Sequence, residues 1–158
     1  MMEIRFLKKE DSNPVLICRR KDNSSTWIHL DGFFLRHDLM HYAVETTMQF
    51  KTAFYGMIAN GISIADFELP KEQRNMELSD EAIYSEHIVN LMLIENREGR
   101  SNDFNGQLRE GLQLNNPALN PVTVEKKQLE KIHSTYNDLM IKWNGLSKGE
   151  SLTLQFEE

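Results

Sequence analysis

Alternation of apolar and polar positions opens and closes the chain, and helical spacing fills the middle. Ile4 and Phe6 alternate with charged neighbours, which predicts a half-buried strand. Pro14 opens a second extended run, Val15 to Arg20. The polar cluster Lys21-Asp22-Asn23-Ser24-Ser25 predicts a turn before a third run, Thr26 to Leu30. At the other end, Leu152, Leu154 and Phe156 share one face of a strand predicted over Ser151 to Phe156. A lone strand leaves its backbone N–H and C=O groups unpaired, so this one should pair with the N-terminal strands.

The period becomes helical after Asp31-Gly32. Apolar residues recur at helical spacing from Phe33 to Asn60, predicting one helix of roughly seven turns that stops at Asn60-Gly61. Ile62 to Pro70 reads as a loop, and Lys71 to Leu78 gives no clear signal. Ser79 can cap a helix running to about Asn96, with Asp80 and Glu81 in the first turn, where the helix dipole favours them. Ile88 to Ile94 is apolar almost all round and should be buried. Arg97 to Asn120 reads as an irregular excursion with room for a short helix. Thr123 can cap a last helix ending near Trp143, in which Leu129, Ile132, Tyr136, Leu139 and Trp143 follow steps of three and four. His133 falls on its surface or boundary. The expectation is one α+β domain over 1–158: a small antiparallel sheet with about three helices packed on one face.

Composition narrows the classes. A chain of 158 residues can bury roughly 68–70% of its unfolded surface, enough for a core without staples. The net charge of −6 argues against a nucleic-acid partner, and the basic run Arg19-Arg20-Lys21 is too short to reverse that. Cys18 is the single cysteine, so no internal disulfide is expected; within Val15-Leu16-Ile17-Cys18 it reads as a small buried hydrophobe. The start Met1-Met2-Glu3-Ile4-Arg5 lacks the apolar stretch of a signal peptide, and no apolar run approaches a membrane span. A cytoplasmic protein without a membrane partner is the expectation. A small-molecule ligand, a protein partner and self-association into a homo-oligomer all stay open.

The candidate chemistry lies in His37-Asp38-Leu39-Met40-His41-Tyr42-Ala43-Val44-Glu45. At about 100° per residue, His37, His41 and Glu45 fall within about 80° of one another, on one helix face. That face borders the apolar arc of Leu39, Ala43, Phe50, Phe54 and Met57, with Met48 or Tyr55 as the expected pocket wall. Asp38 points nearer the solvent side. Two imidazoles four residues apart can chelate one divalent ion, with zinc the first guess. Glu45 would then be a further ligand, a group that orients a ligand, or a general base. Glu86 and His87 are the best additional ligands, and His29 is a weaker one. Without a metal, the same residues would form a buried polar network.

His37-Asp38-x-x-His41 resembles the HDxxH element of the coenzyme Q biosynthesis scaffold family. That resemblance implies a zinc site completed by a distant Glu, a position that falls on Ala53 here. The longer stretch His37-Asp38-Leu39-x-His41-x-x-Val44-Glu45, with Trp143 and Gly149-Glu150-x-Leu152-x-Leu154, resembles a group of small bacterial proteins of unknown function. It implies a fold unit and no activity. The zincin pattern HExxH is close, but Asp38 replaces its base, and a shorter carboxylate would not reach the same water. Gly106 and Gly111 lack the spacing and preceding strand of a phosphate loop, and no nucleophile elbow is present. The readings carried forward are a His/Glu pocket that binds a divalent metal, a metal-assisted hydrolase acting on a small molecule, and a non-catalytic binding or interaction protein with a structural His network.

Overall fold

The computed structural model describes all of residues 1–158 and shows an α+β fold. Strands β1 (Met2–Leu7), β2 (Val15–Arg19), β3 (Ser25–His29) and β4 (Ser151–Phe156) form one antiparallel sheet in the order β3-β2-β1-β4. The terminal strand therefore pairs with β1, as its alternation requires. Ile4 lies opposite Cys18 on one side and Leu154 on the other, and Phe6 lies opposite Leu16 and Leu152. Because strand side chains alternate, this register puts Met2, Ile4, Phe6, Leu16, Cys18 and Phe156 together in the core. Arg5 and Trp27 point the other way and are exposed.

Five helices occur rather than about three: α1 (Gly32–Met48), α2 (Phe54–Ala59), α3 (Asp80–Glu98), α4 (Phe104–Asn115) and α5 (Lys126–Gly145). The single helix expected from Phe33 to Asn60 is broken. Gln49 adopts the left-handed conformation, with φ of 58°, and ends α1. The apolar period runs across the break because both pieces face the same core; periodicity cannot register one left-handed residue. Glu81 of α3 closes the gap, accepting the backbone N–H groups of Lys51 and Thr52.

Ser79 caps α3 as its sequence suggests, accepting the N–H of Ala82 at 3.0 Å. Thr123 does not cap α5. The side-chain amide of Asn105 bonds both the N–H and the C=O of Val124, at 2.8 and 2.9 Å. This pairing is external to the helix, and the cap falls two residues after Thr123, on Glu125, with a capping box between Glu125 and Gln128. The short helix within the 97–120 excursion is α4. His133 is buried rather than at a surface, and bonds Glu95 of α3 at 2.9 Å.

Helix α1 touches both α3 and α5. Between α2 and α3 the chain makes two short 3-10 turns, Ile64–Glu68 and Lys71–Gln73. The Arg74 guanidinium fastens them by donating to the carbonyls of Phe67 and Leu69, both at 2.8 Å. No helix is long and apolar enough to cross a membrane.

A candidate metal centre between α1 and α3

Helical spacing puts His37 and His41 one turn apart on α1, with ring centroids 4.6 Å from each other. Packing of α3 against α1 brings Glu86 across to both. Its Oε1 lies 3.3 Å from His37 Nε2, and its Oε2 lies 3.1 Å from His41 Nε2. The ligating atoms of His37, His41 and Glu86 all lie within 4.8 Å of one another, with His41 buried, His37 half-buried and Glu86 exposed, so this His/Glu group could hold a metal ion.

The other nitrogen of each ring is backed by a carboxylate. His37 Nδ1 is 3.1 Å from Asp38 Oδ1. His41 Nδ1 is 2.9 Å from Glu45 Oε1 and 3.0 Å from the Ser85 hydroxyl. A carboxylate behind Nδ1 fixes the ring orientation and makes Nε2 the outward-facing nitrogen.

Charge follows from these contacts. Burial opposes a proton on His41, but its hydrogen bonds to Glu45 and Glu86, and the charges of both, outweigh this and push its pKa up to about 10. His37 is raised too: burial works against it, and the bonds to Asp38 and Glu86 prevail. Burial would lift the Glu86 carboxyl, but the two imidazoles hold it well below the usual carboxylate range. Without metal, Glu86 thus lies against both rings, and its charge favours their protonated forms.

The group opens onto a cavity of about 750 Å³ between α1, the end of β3, the 3-10 turns and α3. Phe33, Phe34, Phe54 and Phe67 line it together with His37 and His41.

Of the residues singled out in the sequence, His37, His41 and Glu86 come together. Glu45 is fully buried behind His41 and does not line the cavity. Its position suits orienting His41, not ligation. His87 projects from another side of α3, where its Nδ1 lies 3.3 Å from the position a Cβ on Gly111 of α4 would take. His29 is exposed on β3, edge-on to Trp27. Asp38 is buried rather than solvent-directed, and it lines the cavity together with residues of β3 and of the 64–78 segment. Tyr55 is buried one layer deeper than the expected pocket wall, donating to the carbonyl of Asp38 at 2.7 Å; the ring beside His41 is Phe54, at 5.2 Å between centroids. Ser85 carries no signal of this role in the sequence, and Phe54, part of the apolar arc, packs against His41 itself. Ser85 precedes Glu86, but only the register of α3 on α1 shows that both face the histidines.

No family model, curated protein or solved structure matches the chain.

Proposed function

We propose that the protein binds one divalent metal ion through His37 Nε2, His41 Nε2 and a Glu86 oxygen, and that the ion acts on a small organic molecule in the adjoining cavity. The observation that carries this reading is the shared direction of the two rings. Each has its Nδ1 on a carboxylate and its Nε2 on the same third carboxylate. Ligand atoms on a tetrahedral zinc, at about 2.0–2.1 Å from the metal, lie about 3.3 Å apart. His37 Nε2 lies 3.3 Å from Glu86 Oε1 and His41 Nε2 lies 3.1 Å from Oε2, and with all ligating atoms within 4.8 Å of one another a side-chain adjustment of Glu86 would bring one oxygen to that spacing.

Three protein ligands leave a position for water or substrate, the arrangement of catalytic rather than structural zinc sites. A bound ion there would supply a polarised carbonyl or a water acidic enough to attack at neutral pH. A cavity of about 750 Å³ is of small-molecule size. Metal-assisted hydrolysis of a small molecule is the reaction class that fits best.

One observation favours a second reading, a non-catalytic protein with a structural network: both ring nitrogens of His41 already have partners. Calorimetric titration of zinc into chelator-stripped, untagged protein separates the two. The metal reading expects one equivalent bound, with His37→Ala, His41→Ala and Glu86→Ala each weakening it by at least about 100-fold. Asp38→Asn should weaken it by about tenfold through His37. Zinc binding that these variants leave unchanged, or no binding, would leave the structural network as the function of these residues.

A further inference from the structure

Resting on the metal reading, we infer that the cavity takes an uncharged aromatic molecule that presents one oxygen donor to the His37/His41/Glu86 group. The first support is the wall. Phe34, Phe33, His37, His41, Phe54 and Phe67 form an unbroken chain of ring contacts, each centroid 4.6 to 5.9 Å from the next. The candidate ligands sit in the middle of this arc, so a group bound at the metal has phenyl rings on both sides. Planar rings in such surroundings gain from offset and edge-to-face contact beyond simple burial.

The second support is exposure. Phe33 and Phe34 are 59% and 41% exposed although they flank a polar site. They occupy the first turn of α1, and Asp31, the helix cap, bonds the N–H of Phe34 at 2.8 Å, which fixes that turn at the cavity edge. Two adjacent exposed phenyl rings lining a cavity have apolar surface left to cover.

The third support is charge. With a divalent ion bound and both imidazoles neutral, the ion and Arg74 bring three positive charges. Glu86, Asp38, Glu45 and Glu68, in or behind the wall, bring four negative ones. Apart from the ion itself, the surroundings thus add no excess of positive charge to attract an anion. Arg74, the cation of the wall, is committed to the carbonyls of Phe67 and Leu69. Asn90, one turn beyond Glu86 on α3, also lines the cavity, bonds no other group of the protein, and offers an uncharged donor and acceptor.

The test uses the cobalt(II)-loaded protein, with affinity read from the paramagnetic relaxation of ligand protons. Benzamide should bind at least about tenfold tighter than acetamide and no weaker than benzoate. The double variant Phe33→Ala/Phe34→Ala, at exposed positions, should reduce the benzamide preference over acetamide to under about threefold, both compounds being compared on the same cobalt-loaded variant. Equal binding of benzamide and acetamide, or tighter binding of benzoate, would overturn the inference. If the protein takes no cobalt, the metal reading fails by itself. The same three compounds are then compared on the metal-free protein through the ring-proton shifts of His37 and His41, and absence of the aromatic preference there overturns the inference as well.

Discussion

The carboxylate of Glu45 accepts the backbone N–H of Tyr55 at 3.0 Å, from one helix to the first turn of the next. The same carboxylate accepts the N–H of Phe54 at 3.1 Å, the hydroxyl of Ser85 at 3.0 Å and the Nδ1–H of His41 at 2.9 Å. Ala53, which stands at the cap position of α2, has no side chain that could do this. One fully buried carboxylate thus caps α2, fastens α3 and orients His41. Glu45→Ala should cost about 3–5 kcal/mol in urea unfolding, because it strands several buried donors. Glu45→Gln, which keeps the shape and one acceptor oxygen, should cost less. A loss below about 1 kcal/mol for the alanine variant would show that the network does not hold the fold.

His41 makes stability depend on pH in a definite direction. Its folded pKa of about 10 lies above its ordinary value of 6.5, so the folded state holds the proton more tightly than the unfolded chain. The contribution is fully present below about pH 6.5 and is lost as pH rises through 10. Chemical unfolding of the metal-free protein at pH 6 and pH 9.5 should show this loss, and His41→Ala should flatten the difference. A wild-type stability that rises over this interval would contradict the His41 assignment.

Metal and proton compete for Nε2 of His41. Apparent zinc affinity should therefore rise by about tenfold per pH unit between pH 6 and 9 for the proton on His41 alone, with His37 able to steepen it. Calorimetry in buffers of different ionisation enthalpy should detect at least one proton released per zinc at pH 7. A pH-independent affinity would place the metal elsewhere.

Cys18 should resist thiol reagents. Burial, then the charge of Asp38, push its pKa up to about 12, so almost no thiolate exists at neutral pH. Native protein should react far more slowly than protein in denaturant, and labelling at equal rates would disprove the burial. The raised pKa disfavours the folded state as pH climbs from the unfolded thiol value, about 8.5, towards 12, the same sign as His41.

The strand β4 should be indispensable. It pairs with β1 from Met2–Phe156 to Leu7–Ser151 and brings Leu152 and Phe156 into the core. Removing residues 151–158 should abolish cooperative unfolding, and Phe156→Ala should cost about 3–5 kcal/mol. A truncated chain that still melts cooperatively near the full-length midpoint would show that the sheet survives on three strands.

Local chemistry determined much of this protein. Alternation set β1 and β4 on the same core face, the Ser79 cap set the start of α3, and the spacing of His37 and His41 set two imidazoles on one side of α1. These features depend on backbone period and neighbouring residues, which a sequence carries directly. Tertiary structure decided the rest. The break at Gln49, the register of α3 on α1 and the burial of Asp38 depend on contacts between segments distant in the chain. Those contacts bring Glu86 to the histidines and leave His87, one residue on, facing α4, because successive helical residues point about 100° apart and only packing chooses which of them meets the partner.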